Sequence, residues 1–402
     1  MTTTAQRLAG LSPEKQALLR KKLAERTAAP TVVARAEPSA ALSFAQRRLW
    51  FLDQLEPGST AYNIVEGIRL HGPAAQPFQL DVLHACVRAL VRRHDVLRTT
   101  FVVEDGEPRQ RVAADLDPPF QVSDLRALAP DAREAEAVRI ASREADTAFD
   151  LARGPLLRVH VVVLQPHEVV FVLAIHHIVF DGWSLGVVLQ EMSELYRAIA
   201  TGAASPLLPL PLQYADYARW QRAQLAGPAH EALSRYWRDQ LAALPVLDLP
   251  VDHARRDGAV RDGARASFRL PAELSAELVA FARRHNVTMF MLLLAGFHAL
   301  LARYAGQDRF AVGTPIAGRT ERDLEPMIGF FVNTLVLVAD VADDPTFAAH
   351  LARVRETTLG AFAHQQMPFE LLVEELRPER QLGHAPLFQV MFSVKSLQHL
   401  RA

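Results

Sequence analysis

The residue types best suited to chemistry fall in one short run, His176-His177-Ile178-Val179-Phe180-Asp181-Gly182. Two imidazoles and a carboxylate so close together suit proton transfer near neutral pH, where an ordinary histidine changes charge. The run follows an apolar, β-branched segment (169–175) and precedes a helical pattern, so it lies at a strand-loop-helix junction. Neighbouring strand side chains point to opposite faces. If the strand persists, only one of the two histidines can face a cleft and the other belongs to the structure. Gly182 permits backbone conformations, or the close approach of a ligand, that a side chain would prevent. Asp181 is also well placed to cap the helix that follows. No HxxxH spacing or nearby carboxylate completes a metal site. At this level a proton-transfer site and a packed structural histidine pair stay equally open. The chain has no GxxxxGK(S/T) phosphate loop and no GxSxG nucleophile elbow, which disfavours ATP use and an acyl-serine intermediate.

These residues need elements to hold them. LLRVHVVVL and VVFVLAI read as two buried strands of a hairpin, joined through Gln165-Pro166-His167-Glu168. Leu185, Val188, Leu189, Met192, Leu195 and Ile199 repeat at helical spacing behind Gly182. Upstream, LDVLHACVRALVRRHD is an amphipathic helix and RTTFVVED a strand closed by a turn at Gly106. Residues 201–213, with Pro206, Pro209 and Pro211, read as a linker. Beyond it, helices are expected over YADYARWQRAQL, HEALSRYWRDQL, AELSAELVAFARRH, MFMLLLAGFHALLARYA, 345–363 and PFELLVEEL. Strands are expected over ARASFRL, RFAVGTPI, FVNTLVLVADV and LFQVMFSV. Helices and strands alternate in both halves, so the class is α/β with two lobes. The division is a leader over 1–39, a first lobe over 40–204 and a second over 205–402. The leader carries one helix, capped by Ser12 with Pro13 in its first turn and lined by Leu18, Leu19 and Leu23. It serves either as a solvated helix on its own domain or as a docking element.

The bulk numbers agree. A chain of 402 residues exceeds what one core usually holds. Apolar residues make up 50% and charged residues 22%, a globular composition. Basic (44) and acidic (45) residues nearly cancel, so no charge excess points to nucleic acid or an anionic membrane as partner. One cysteine, Cys86, rules out a disulfide within the chain and reads as a buried thiol on a helix face. Neither a secretory signal nor a run of about 20 apolar residues is visible, and the cytoplasm is the expected compartment.

HHIVFDG fits the HHxxxDG signature of nonribosomal peptide synthetase condensation domains and of the wider acyltransferase superfamily. Six other segments resemble that family's motifs in the family's order: SFAQRRLWFLDQL (43–55), RHDVLRTTF (93–101), YADYARW (214–220), IGFFVNTL (328–335), HQQMPFELL (364–372) and LGHAPLFQVMF (382–392). The resemblance covers about residues 40–394. It implies two chloramphenicol-acetyltransferase-like lobes in a V-shaped pseudo-dimer with a central tunnel. It also implies formation of an amide bond between substrates carried on the 4'-phosphopantetheine arms of an upstream donor and a downstream acceptor peptidyl carrier protein. An adenylation domain is the expected neighbour, and no cofactor is bound by the chain itself. The pattern looks most like domains that join L-configured donors and acceptors. An unperturbed imidazole titrates near ~6.5 and a free α-amino group near ~7.7–8.0, so one can share the other's proton.

Residue by residue, the resemblance makes His177 the catalytic candidate. His176, Asp181, Gly182, Trp183 and Ser184 become residues of the active-site loop. Asp181 is expected to pair with an arginine, for which Arg269 and Arg319 are the candidates. Asn333 is expected to orient a substrate. Gln46 and Arg48 are weaker candidates for the tunnel wall. Arg93, Asp95 and Arg98 are expected to fix a loop or pack the lobes, and Tyr214, Asp216 and Trp220 to pack a helix between the lobes. Two departures stand out: Val338 occupies a place where the family often has arginine, and the second lobe reads as shortened at its end. An epimerising relative, an acyl-CoA-type acyltransferase and a non-catalytic recruitment platform are the alternatives.

Overall fold

A computed structural model describes residues 32–34, 37, 39–72, 77–252, 263–377 and 386–395. The leader helix over 12–26 and the final residues 396–402 lie outside the described residues. So does the opening of the last motif, at 382–385.

The first half is built from β1 (Ser39–Ala41), α1 (Phe44–Leu55), β2 (Asn63–His71), α2 (Leu80–Arg93), β3 (Thr99–Glu104), β4 (Glu107–Val112), β5 (Phe120–Asp124), α3 (Pro130–Ala145), β6 (Leu157–Gln165), β7 (Glu168–His176) and α4 (Gly182–Ala200). One sheet has the order β2-β7-β6-β5, antiparallel except for the parallel β5–β6 pair. A second, antiparallel sheet has the order β1-β4-β3. The β6–β7 hairpin forms as the apolar runs predict, and it is central: almost every residue on both strands is buried. Asp105 and Gly106 both take positive φ at the β3–β4 turn, the conformation an Asp-Gly hairpin favours. Strands β1, β2, β4 and β5 and helices α1 and α3 are not among the elements expected from the sequence.

The second half contributes α5 (Tyr214–Gln224), α6 (Pro228–Leu241), α7 (Ala272–Arg284), α8 (Met289–Ala305), β8 (Arg309–Ile316), β9 (Asn333–Asp340), α9 (Phe347–Ala363) and α10 (Phe369–Leu376). β8 and β9 pair antiparallel, and β8 is bridged on its other side by Met391 at Gly313. That single bridge replaces the strand expected over LFQVMFSV. The strand expected over ARASFRL is also absent. Its alternation of Ala264, Ala266, Phe268 and Leu270 suits a strand, but residues 263–270 are exposed without a ladder, and Phe268 is 89% exposed. Alternation predicts a strand only where a neighbouring strand supplies hydrogen bonds.

Two main buried cores result. One contains Val159, Phe171, Ile175, Ile178, Phe180 and Val188; the other contains Trp237, Leu294, Phe310, Leu337, Val354 and Leu372. The first core also takes in Leu212, Tyr214 and Tyr217 and, from much further along the chain, Leu324, Met327, Ile328 and Phe331. Among the described residues no single helix is long and apolar enough to cross a membrane.

Candidate active site

Strand β7 ends at His176, and a 3-10 turn over His177–Val179 begins immediately. That change of backbone separates the histidines. The His176 ring is buried, and its Nδ1 accepts the Ile178 N–H at 3.2 Å. Burial, and then the charge of the adjacent His177, lower its pKa to about 4. His177 is only partly buried, and its Nδ1 lies 2.7 Å from the Phe180 carbonyl oxygen. A carbonyl can only accept, so Nδ1 carries the proton and Nε2 keeps the lone pair. The turn that presents His177 is held on two further sides. The Tyr62 carbonyl accepts the His177 N–H at 2.9 Å, and Gln46 Nε2 donates to the Ile178 carbonyl at 3.3 Å. Gln46 is thus a buried support of the turn, fixed in a capping box with Ser43 at the start of α1.

A pH effect follows from the buried imidazoles. His176 is held near 4 and His298, buried in the second core, is lowered to about 3; both are depressed first by burial. Between pH 6.5 and 4 the unfolded chain therefore binds protons that the folded chain refuses. Stability is fully present above about pH 6.5 and falls as pH drops toward 4. Each imidazole that stays neutral in the folded chain and charges in the unfolded one removes about 1.4 kcal/mol per pH unit. Urea midpoints measured from pH 7 to 4.5 are expected to fall. His176→Asn, whose Oδ1 can still accept the Ile178 N–H, is expected to flatten the curve. A variant that tracks wild type across the range would remove His176 from the effect.

Asp181 turns away from His177. Its Oδ1 caps α4 by accepting the Ser184 N–H at 2.9 Å and lies 2.7 Å from Ser184 Oγ; its Oδ2 accepts the Phe331 N–H at 3.0 Å. Arg319 Nη2 reaches Oδ1 at 3.1 Å, and both side chains are essentially inaccessible. Arg319 is therefore the partner, and Arg269 is exposed elsewhere. The rest of the guanidinium lies over the Phe331 ring, 3.9 Å from its centroid, and its Nε and Nη1 have no hydrogen-bond acceptor among the described residues. Burial lowers the Arg319 pKa and Asp181 opposes that, so the group stays charged. Ser184 Oγ accepts from the Gly329 N–H and from Arg319, each at 3.1 Å. Trp183, 41% exposed, donates Nε1–H to the Glu325 carbonyl at 2.9 Å. Gly182 is exposed with φ in the ordinary range, and a Cβ there would meet nothing within 4 Å. The open space around it, not backbone strain, is what glycine preserves.

Arg319 depends on its neighbour. Gly318 has φ +66°, and a Cβ there would lie 1.9 Å from the Phe331 carbonyl oxygen. Gly318→Ala must displace either the arginine or residues 329–331, and is expected to cost at least about 2 kcal/mol. A urea midpoint equal to wild type would contradict this.

The other expected residues sort clearly. Asn333 binds backbone. Its Nδ2 donates to the Gln365 and Met367 carbonyls at 2.9 and 2.7 Å, and its Oδ1 accepts the Phe369 N–H at 3.0 Å. Both amide protons are spent on backbone, so Asn333 clasps residues 365–369 to β9 and has no donor left to orient a substrate. Arg48 reaches Glu370 at 3.5 Å and lies over the Phe369 ring, linking α1 to α10. Asp95 pairs with Arg98 within the turn after α2, and Arg93 pairs with Glu191 at 2.8 Å, tying α2 to α4. Tyr214 is buried, its hydroxyl 2.9 Å from Ser43 Oγ, and Asp216 pairs with Arg219 at 2.6 Å. Two residues escaped sequence reasoning. Phe330 packs its ring on His177, with centroids 4.7 Å apart and planes at 60°. His94, buried, lies 2.8 Å from Glu191 Oε2 through Nε2 and accepts the Ile328 N–H through Nδ1 at 3.2 Å. Both stand inside recognisable motifs, but spacing says nothing of which motif residues meet. Among the described residues no group of three His, Cys, Asp or Glu side chains could hold a metal.

A two-core α/β molecule with a histidine raised on the turn after a central strand, and an aspartate-arginine pair beneath it, has the architecture of chloramphenicol-acetyltransferase-like acyltransferases. The condensation-domain family model matches residues 36–401, and the chain belongs to that family. Its members in nonribosomal peptide synthetases are acyltransferases that form peptide bonds, and they need no cofactor themselves. A linear gramicidin synthase of Brevibacillus parabrevis is 48% identical over 360 residues, covering 89% of this chain and 7% of that protein. A phosphinothricin tripeptide synthetase of Streptomyces viridochromogenes is 43% identical over 392 residues, covering 96% of this chain and 36% of that protein. The chain thus spans a minor part of these relatives. Among solved structures, the X-domain from teicoplanin biosynthesis is 28% identical with a TM-score of 0.79, covering 90% of this chain and 79% of that one. The condensation domain from the monacolin K polyketide synthase is 26% identical with a TM-score of 0.75, covering 88% and 81%.

Proposed function

We propose that this chain joins an acyl or peptidyl thioester on an upstream carrier protein to an aminoacyl thioester on a downstream one. The acceptor amine attacks the donor carbonyl, a C–N bond forms and the donor C–S bond breaks. The amine proton passes by way of His177 Nε2 to the departing thiolate, so one thioester and one amine become one amide and one thiol. The observation that carries this reading is the division between the histidines: His176 is sealed in, while His177 is partly exposed with its proton fixed on Nδ1 and its lone pair free on Nε2. A thioester is already activated, so a shared proton and the alignment of two tethered reactants suffice; alignment can supply ~7–11 kcal/mol. His176, Asp181, Trp183 and Ser184 hold the loop, and Gly182 leaves room for an arm in a tunnel between the lobes.

The same reading puts the first lobe over 40–204 and the second over 205–402, with α5 and residues 324–331 crossing back to the first core. It puts the protein in the cytoplasm beside an adenylation domain, and assigns L-configured donor and acceptor. The test loads donor and acceptor carriers with defined groups and follows the acceptor by intact-protein mass spectrometry. Transfer of the acyl group to the acceptor amine is expected, faster from an L- than from a D-configured donor. Equal turnover with soluble acyl-CoA and no donor carrier would overturn the carrier-bound reading.

A further inference from the structure

Residues 328–331 come from the second half of the chain, yet side chains of the first half grip their backbone, and Tyr214 joins them. The Ile328 N–H goes to His94, the Gly329 N–H to Ser184 and the Phe331 N–H to Asp181. Tyr214 donates its hydroxyl proton to the Phe330 carbonyl. A Cβ on Gly329 would lie 2.2 Å from the Tyr214 ring, so the backbone is pressed against that tyrosine. His94, Ser184, Asp181 and Tyr214 are all buried. Four anchors on four consecutive residues fix this stretch far more firmly than one packed loop needs. What the stretch delivers is one partly exposed ring, Phe330, set against His177 at 4.7 Å.

Among the described residues the His177 imidazole has one hydrogen bond, from Nδ1 to the Phe180 carbonyl. That bond holds the proton on Nδ1 but leaves the ring free to tilt, because a single hydrogen bond tolerates a wide range of angles. An aromatic ring packed against it removes that freedom and keeps water from the Nδ1–H bond. We propose that Phe330 is a positioning residue, which holds the His177 ring with Nε2 directed at the reacting amine; the inference rests on the function assigned to His177 above. The four anchors exist to aim Phe330, so the second half of the chain acts on the chemistry without touching substrate.

The test compares wild type with Phe330→Leu, Phe330→Tyr and Phe330→Trp in the carrier-loaded assay. Phe330→Leu is expected to lower kcat about 10–100-fold, the scale of a small misplacement of a reacting group, with KM for both carriers nearly unchanged. The aromatic variants are expected to recover most of the rate, which a merely structural loss would not allow. In parallel, 15N spectra of the histidine side chains are recorded for wild type and Phe330→Leu. Wild type is expected to show sharp His177 nitrogen signals with the proton on Nδ1, and Phe330→Leu to show the same tautomer with both signals shifted and broadened by ring motion. A wild-type kcat in Phe330→Leu, or unchanged His177 nitrogen signals in it, would overturn the proposal. If wild type itself makes no amide, the carrier-bound reading fails, and the nitrogen spectra still decide the role of Phe330.

Discussion

Asp181→Ala lowers the stability of the protein by about 3–5 kcal/mol, and Arg319→Met by less. The asymmetry comes from what each partner keeps. Without Arg319 the carboxylate still accepts from the Ser184 N–H, Ser184 Oγ–H and the Phe331 N–H. Without Asp181 the guanidinium keeps Ser184 Oγ and the face of Phe331, while its Nε and Nη1 already have no acceptor. Within the Asp181→Ala loss, uncapping α4 accounts for about 1 kcal/mol and the unpaired, buried Phe331 N–H for about 1–3 kcal/mol. The double variant is expected to be more stable than the sum of the two losses, with a coupling of about 0.5–3 kcal/mol. Urea unfolding of the four proteins closes the cycle. Additive losses would mean that the pair is no more than two neighbours.

His177→Ala is expected to behave in the opposite way, with little change in unfolding and a large loss of turnover. The ring is partly exposed and, among the described residues, makes one hydrogen bond, to Phe180. Its removal is expected to lower kcat by about 10²–10⁴-fold, the usual yield of a placed acid or base. KM for the loaded carriers should stay near wild type, because the imidazole is assigned to the reacting amine and not to the carrier surfaces. A residual rate should persist, since two tethered reactants remain aligned. Equal product formation by the two proteins would remove His177 from the chemistry. Together the two experiments separate the loop's tasks: Asp181 measured in stability, His177 in rate.

Much of this site was legible in the sequence, for identifiable reasons. Alternation divides His176 from His177 only if the strand runs through both; the strand stops at His176 and the 3-10 turn divides them instead, while the capping preference of aspartate places Asp181 at the start of α4. Hydrophobic periods located the β6–β7 hairpin, α4 and α8, because the hairpin strands are buried on both faces and each helix packs one apolar side against a core. What escaped depends on contacts between distant residues. Arg269 and Arg319 are equivalent as letters, and only the fold, with Gly318 pressed on Phe331, selects the second. Within IGFFVNTL the polar Asn333 looked like the functional residue. The fold spends it on backbone and gives the contact with His177 to Phe330. The extended stretch over 263–270 shows the limit from the other side, since a strand's alternation carries no information about whether a neighbour exists.

The anchoring of residues 328–331 also sets a clock. His94 and the Ile328 N–H it holds are 234 positions apart. A ribosome adds about 5–20 residues per second, so this imidazole is made roughly 10–50 s before its partner. During that interval the hairpin and helices around HHIVFDG can form locally. The first core, however, still lacks Leu324, Met327, Ile328 and Phe331, and Asp181 still lacks Arg319. The histidine turn is therefore synthesised early and completed late, and substitutions near residue 330 act on the maturation of a core whose other residues were made long before.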